Sequence, residues 1–185
     1  MNIRRLPRMG AGRALATLFA LAAVAALTAC AADRDPPSGQ PSFYRSLAQP
    51  GAKLDADAAR SMISGYRQNN GLGALTIDPE LMRLAERQAQ AMAARDKLSH
   101  EVGGPFTARL KKAGYRSRAA AENISAGYHT IAEAFSGWRE SPPHRANMLL
   151  KGATRMGIAA VYTPSSKYKV YWSLILARPA DEGRS

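Results

Sequence analysis

The chain has 185 residues and is strongly basic, with 26 Lys and Arg against 14 Asp and Glu and a net charge of +12 at pH 7. This length suits a single domain with a sizeable hydrophobic core. Its one cysteine, Cys30, excludes an internal disulfide, so the fold depends on its core rather than on cross-links.

The N-terminus predicts an export signal. Four arginines lie within the first 13 residues, and an apolar run follows at 14–27. That run is too short to favour a spanning helix and has the length of a signal-peptide core. It ends in Leu-Thr-Ala-Cys at 27–30, which is the order of a bacterial lipobox. We therefore expect residues 1–29 to be a lipoprotein signal peptide and Cys30 to be lipidated. The alternative is an ordinary signal peptide with a chance cysteine.

The charge and the export signal together limit the partners. Cleavage before Cys30 removes four arginines and no acid, leaving 156 residues with a net charge of +8. Outside the cytoplasm, the anionic partners are phospholipid, lipopolysaccharide or wall polymer, and nucleic acid is not expected. Ala31 follows the cysteine in place of the aspartate that indicates inner-membrane retention, so the outer membrane is favoured in a Gram-negative cell. Alternatively, the net positive charge comes from basic residues scattered over a solvated surface.

Composition divides the rest of the chain into three parts. Residues 30–52 are expected to be a flexible tether, because the Pro, Ser and Gly residues at 35–42 do not sustain a helix or a central strand. Phe43, Tyr44 and Leu47 are the side chains of this segment that would dock onto the domain. The folded domain is predicted at 53–179, and 180–185 form a polar tail.

The first two predicted helices follow in chain order. Apolar residues at helical spacing predict a helix after residue 55, with Asp55 or Asp57 as its N-cap. The next helix begins at Asp78-Pro79, with the aspartate as cap and the proline in the first turn. It shows the clearest amphipathic pattern in the chain and ends shortly before His100.

Shorter elements come next. A helix is predicted at 106–113, followed at 115–124 by a loop that leads into a short strand. Thr130 and Glu133 form a capping box for another helix, and Ser141 is positioned to cap a short helix at 142–150. Segments 156–162 and 168–176 are rich in β-branched and aromatic residues and predict a terminal β-hairpin. Helices followed by a hairpin indicate an α+β domain.

A series of motifs runs through the predicted domain. In order they are Tyr66-Arg67 with Asn69, Leu98-Ser99-His100, Glu122-Asn123-Ile124, Trp138, Ser141-Pro142-Pro143-His144-Arg145-Ala146-Asn147-Met148-Leu149, Gly157 and Tyr171-Trp172. This series resembles the bacterial, SCP-like branch of the CAP superfamily, which takes in cysteine-rich secretory proteins, antigen 5 and pathogenesis-related 1 proteins. The resemblance covers about residues 53–179. It implies an α-β-α sandwich with a central antiparallel sheet that ends in a C-terminal β-hairpin.

The resemblance also implies a cleft lined by two histidines and two acidic residues. His100 corresponds to the first histidine, Glu122 to the first glutamate and His144 to the second histidine. The second acidic position falls on Ser141, and Glu140 is one residue short of it. On a helix, Glu140 would project roughly 200° from Trp138, away from the core. The fourth cleft residue is therefore Glu140 or Ser141.

Three kinds of chemistry are open to this set. Two imidazoles and a carboxylate suit zinc or a similar divalent metal, which makes His100, His144 and Glu122 candidate ligands. The same groups without metal are a general acid and base. They also suffice as hydrogen-bonding partners that join the sheet to the helices. The chain lacks the His-Glu-x-x-His motif of metalloproteases.

The sequence thus predicts an envelope-anchored lipoprotein that acts as a binding module. Its cleft would hold a lipid, a glycan or a short peptide, with or without a divalent metal. The alternative is a metal-assisted hydrolase acting on wall peptide or another envelope polymer. A third alternative is a structural envelope protein whose cleft is inert.

Overall fold

The computed structural model describes residues 39–180. The predicted signal peptide, Cys30 and residues 181–185 lie outside the described residues. The helices are α1 (Ala56–Gln68), α2 (Pro79–Ala94), α3 (Phe106–Lys112), α4 (Ile131–Glu140) and α5 (Pro142–Met148), and a 3₁₀ turn (Ser42–Tyr44) precedes them. The strands are β1 (Thr76–Ile77), β2 (Ser117–Ala126), β3 (Arg155–Tyr162) and β4 (Val170–Pro179). In this part of the chain, no helix has the length and apolar character needed to cross a membrane.

The predicted helix starts are confirmed. The Asp55 side chain accepts a hydrogen bond from the Ala58 amide at the start of α1. The Asp78 side chain accepts from two amides in the first turn of α2. The capping box of Thr130 and Glu133 is complete at the start of α4. These caps satisfy amide donors that have no partner inside the helix, so each helix begins where the sequence indicates.

The strands of the described chain form one sheet in the order β1-β3-β4-β2. The predicted terminal hairpin is confirmed by the antiparallel pairing of β3 with β4, and β2 is also antiparallel to β4. The two-residue strand β1 pairs in parallel with β3 at the opposite edge, so the sheet is mixed. The loop leading into a short strand that was expected at 115–124 is almost entirely strand, since β2 is ten residues long. Its alanine-rich first half has little intrinsic strand preference and is extended because β4 pairs with it.

The sheet has a hydrophobic core on each face. Along β4, Trp172, Leu174 and Leu176 pack with Ile63 and Trp138 on one side. Ile175 and Ala177 face the other side, where the buried residues Leu81, Leu84, Ala85, Ala89 and Leu110 complete a second cluster. Alternate residues of a strand point to opposite faces, which explains why almost every residue of β4 is apolar. The expected α-β-α sandwich is confirmed.

Gly157 sets how closely α2 approaches the sheet. A Cβ atom at this position would lie 2.1 Å from the backbone carbonyl carbon of Leu81. Only a residue without a side chain permits that contact. The close packing of α2 on β3 fixes the position of the helix, and with it the loop that carries His100.

Arg67 fixes the segment that follows α5. Its side chain is 1% exposed. It donates hydrogen bonds to the carbonyl groups of Met148, Leu150 and Ala153, each at 2.9 to 3.0 Å, and to that of Gly73 at 3.0 Å. Because α5 carries His144, this buried guanidinium helps to position the second histidine.

The segment before α1 packs against the domain. From Gln40 onward, the described chain belongs to one compact unit. Leu47 is buried, and its amide donates to the His129 carbonyl over 2.7 Å. Phe43 packs on the same core, whereas Tyr44 remains 52% exposed. The docking considered for this part of the tether is therefore observed for Phe43 and Leu47.

Candidate functional site

His100 and Glu122 are in direct contact. His100 lies in the loop after α2, and Glu122 lies near the middle of β2. The His100 Nδ1 atom is 2.7 Å from Glu122 Oε1, and the two side chains are 47% and 2% exposed. Glu122 is opposite Ile175 on β4, which faces α2. Because paired residues on neighbouring strands share a face of the sheet, Glu122 points toward the same layer of helices.

Arg109 of α3 completes this cluster. Its Nη2 atom donates to both carboxylate oxygens of Glu122, at 2.8 and 2.7 Å, and its side chain is 8% exposed. Its Nε atom donates to the Gly104 carbonyl at 2.9 Å. A buried carboxylate requires charged or hydrogen-bonding partners to be stable, and here Arg109 supplies the charge.

The sequence analysis missed Arg109. The signal that was available is the spacing of Phe106, Arg109, Leu110 and Ala113, which places the arginine on the apolar face of α3. A charged residue on an apolar face indicates a buried partner elsewhere in the chain. The guanidinium also stacks over the Phe106 ring, 5.2 Å from the ring centroid.

The loop that carries His100 is held from two sides. Gln88 is fully buried on α2, and its amide nitrogen donates to the carbonyl groups of Ser99 at 2.9 Å and His100 at 3.4 Å. Arg109 Nη2 also approaches the His100 carbonyl at 3.5 Å. The backbone of His100 is therefore fixed independently of the contact between its ring and Glu122.

A third contact holds the end of α2 against the terminal hairpin. The Tyr171 hydroxyl donates to Asp96 Oδ1 at 2.6 Å, and the Ser166 hydroxyl donates to the same oxygen. The hydrogen bonds from Ser166 and then Tyr171 hold the pKa of Asp96 below its ordinary value. Burial, followed by the hydrogen bond to Asp96, raises the pKa of Tyr171. This cluster fixes the chain four residues before His100.

His144 lies beside the same site on α5. Burial and, to a smaller extent, the charge of His100 lower the pKa of His144. The Asn123 side chain donates to the His144 carbonyl at 2.9 Å. Asn147 donates to the Glu122 carbonyl at 3.1 Å and to the Asn123 side chain at 2.9 Å. This amide network joins α5 to β2 next to Glu122, so two distant sequence motifs meet at one place.

The structure does not bring Glu140 into this cluster. Its carboxylate is 73% exposed and lies 3.6 Å from Arg139. It lines a separate surface groove with Tyr128 and His129. Ser141 precedes α5 but makes no side-chain capping bond. The candidate site thus consists of His100, Glu122, Arg109 and His144.

Glu122 does not fit the role of a zinc ligand. Both of its oxygens accept from Arg109, and the guanidinium charge opposes a second cation at the carboxylate. Among residues 39–180, no group of three or more His, Cys, Asp or Glu side chains is placed to hold a metal ion. The metal site expected at His100, His144 and Glu122 remains a prediction, and the contacts of Glu122 favour the two histidines as its ligands.

The fold and the site together define an α-β-α sandwich with a histidine–glutamate pair at its surface. The sequence profile of the CAP, or cysteine-rich secretory protein, family matches residues 60–176. The chain therefore belongs to the CAP family.

Individual relatives agree with this assignment. The uncharacterized protein YkwD of Bacillus subtilis is 33% identical over 107 residues, which are 56% of this chain and 41% of that protein. The chain thus spans less than half the length of this relative. An extracellular SCP-domain protein from Bacillus anthracis has a TM-score of 0.58 at 22% identity, covering 66% of this chain and 39% of that one. An outer surface protein from Borrelia burgdorferi has a TM-score of 0.62 at 19% identity, with coverages of 69% and 94%. At these identities, the two structures show a shared fold.

Proposed function

We propose that this protein is an exported lipoprotein whose CAP domain binds a ligand at His100. The observation that carries the proposal is the fixed arrangement of Arg109, Glu122 and His100. A buried carboxylate, held by a buried guanidinium, orients a half-exposed imidazole. Binding sites combine a few positioned polar groups with rigid support, and this cluster has both.

The contact between His100 and Glu122 determines which ring nitrogen of His100 carries the hydrogen, and this indicates how a ligand would be recognised. A carboxylate only accepts hydrogen bonds, so His100 Nδ1 carries the hydrogen in its 2.7 Å contact with Glu122. The Nε2 atom is then the one available to a ligand. In neutral imidazole this atom accepts a hydrogen bond. A hydroxyl or amide group of a wall glycan or a short peptide supplies the matching donor.

The proposed location rests on the export signal and on the relatives. The Leu-Thr-Ala-Cys sequence at 27–30 supports a lipid anchor at Cys30. The two structural relatives are described as an extracellular protein and an outer surface protein. A membrane-anchored position in the envelope brings the domain close to glycan, peptide and anionic lipid.

Calorimetric titration of the purified full chain tests this proposal. The probes are soluble muropeptides, which combine glycan and peptide, and vesicles of phosphatidylglycerol. Saturable binding that His100→Ala weakens at least tenfold is expected. His129→Ala is the matched control, because this exposed third histidine lies outside the site. Equal affinity of His100→Ala and wild type, or no binding of either probe by the folded protein, would refute the proposal.

Acid–base catalysis is the second candidate, and one observation favours it. A carboxylate bonded to one ring nitrogen of histidine orients the other nitrogen for proton transfer, as in hydrolase triads. Glu122 and His100 have this relation. Release of a cleaved product from cross-linked wall peptide, lost in His100→Ala, would favour an enzyme. Stoichiometric binding without any product would favour the binding module.

A further inference from the structure

A pocket lies between α2 and α3, and the function proposed above does not use it. Its volume is about 470 Å³. The residues that line it are Glu80, Leu84, Arg87, Gly103, Arg109, Lys112 and Ala113. Arg109 thus belongs both to this pocket and to the cluster around Glu122.

The lining carries excess positive charge. Three of its side chains are basic, and Glu80 is the one acid. Glu80 is already paired, because it accepts hydrogen bonds from Arg83 and, at 3.3 Å, from Arg87. Within residues 102–121 there are five basic side chains and no acidic one. Arg109 is balanced by Glu122 and Arg87 by Glu80, so Lys112 supplies the unbalanced positive charge that would attract an anion into the pocket.

One donor of the buried guanidinium has no partner. The Nη1 atom of Arg109 is buried and makes no hydrogen bond within residues 39–180, although Nε and Nη2 of the same side chain are bonded. Buried donors in native proteins almost always have a partner, and an exception points to a bound ion or water. Arg109 lines the adjoining pocket, and a small shift of its guanidinium would present this donor to an oxyanion there.

Lys112 is the second group that suits an anion. It is exposed at the end of α3 and lines the pocket, and no hydrogen bond or ion pair engages its ammonium group within the described part of the chain. The neighbouring Lys111 is also exposed but lines a different pocket, on the other side of α3. Comparing variants of these two adjacent lysines therefore distinguishes binding in the pocket from a general effect of surface charge.

We propose that this pocket binds a phosphate group, held by Lys112 and Arg87 with Arg109 at its wall. Arginine and lysine are the side chains that recognise phosphate oxyanions. The apolar walls from Leu84 and Ala113 leave room for an organic part, so a phosphate ester fits as well as inorganic phosphate. The proposal does not depend on a ligand at His100.

Thermal unfolding of the full chain in increasing inorganic phosphate, at constant ionic strength set with chloride, tests this inference. A ligand that binds only the folded state raises the melting temperature with its concentration. We expect phosphate to raise it beyond the chloride baseline. Lys112→Gln and Arg87→Gln should each weaken the apparent affinity at least fivefold, whereas Lys111→Gln should leave it unchanged.

Three outcomes would overturn the proposal. These are an absence of stabilisation beyond chloride, an equal loss in Lys111→Gln and Lys112→Gln, and unchanged affinity in both pocket variants. A parallel series with glycerol 3-phosphate separates the sources of the anion. Tighter binding of the ester supports a phosphorylated envelope molecule, and equal binding supports free phosphate. His100→Ala should retain the phosphate response, so the phosphate proposal and the proposal of a ligand at His100 can be refuted independently.

Discussion

Replacing Arg109 with alanine should lower the free energy of unfolding by about 3–5 kcal/mol. The substitution leaves the Glu122 carboxylate 2% exposed without the guanidinium that bonds both of its oxygens. It also removes the bond to the Gly104 carbonyl. Since domains of this size have total stabilities of about 5–15 kcal/mol, a loss of this size is a substantial fraction of the total.

A surface ion pair in the same protein provides the control. The Arg83 side chain pairs with Glu80 but is 57% exposed. Solvent screens such a pair, and Arg83→Ala should lower the stability by less than about 1 kcal/mol. Urea unfolding of the full chain at pH 7, followed by circular dichroism, measures both variants.

A double-mutant cycle separates the ion pair from the loss of packing. Glu122→Gln alone leaves the guanidinium buried without its counter-charge, so it should also be strongly destabilising. The double variant Arg109→Ala/Glu122→Gln should be more stable than the sum of the two single effects predicts, by about 1.5–3 kcal/mol. Additive effects, or an Arg109→Ala variant within about 1 kcal/mol of wild type, would refute the assignment of Arg109 as the partner that stabilises Glu122.

Three further predictions follow from the packing, the electrostatics and the export signal. Gly157→Ala should destabilise the protein by about 3 kcal/mol, because its methyl group would overlap the Leu81 backbone. Gly65→Ala is the control: it lies in a helix with nothing within 4 Å and should stabilise the protein by about 0.5–1 kcal/mol. Denaturant unfolding that shifts the stability of both variants in the same direction would contradict the close approach of α2. Asp96 has a lower pKa in the folded state than its ordinary value near 3.8, so it contributes stability above that pH, which is lost as the pH falls through the folded-state pKa. Asp96→Asn should therefore flatten the dependence of the urea midpoint on pH below about pH 4. An unchanged dependence would exclude this contribution. Cys30→Ser should abolish incorporation of an alkyne fatty acid and release the protein from the membrane fraction, and retained labelling would exclude lipidation at this residue.

Local sequence was sufficient to predict many of the elements. Asp78-Pro79 and the pair Thr130–Glu133 identified two helix starts, because a cap needs only residues three positions apart. The richness of two neighbouring segments in β-branched and aromatic residues predicted the terminal hairpin, which the structure confirms. The contact between His100 and Glu122 was anticipated only through the family resemblance, because nothing local to either residue indicates the other.

The strand β2 and the role of Arg109 were decided by tertiary structure. β2 is extended because β4, more than 40 residues later in the chain, supplies its hydrogen-bonding partners. Arg109 has the same charge and nearly the same local surroundings as the exposed lysines that follow it. It is buried because α3 packs where the Glu122 carboxylate needs a cation.

The sequence by itself determined where helices begin, where the hairpin lies and which side chains are capable of the chemistry. Those properties depend on backbone capping, on the periodicity of apolar residues in helices and on the residue types of the strands, all of which are local. Tertiary structure decided which of the charged groups meet. It paired Glu122 with Arg109 and left Glu140 on the surface beside Arg139. Burial of a charge depends on partners that the packing of distant segments provides, so no local pattern specifies it.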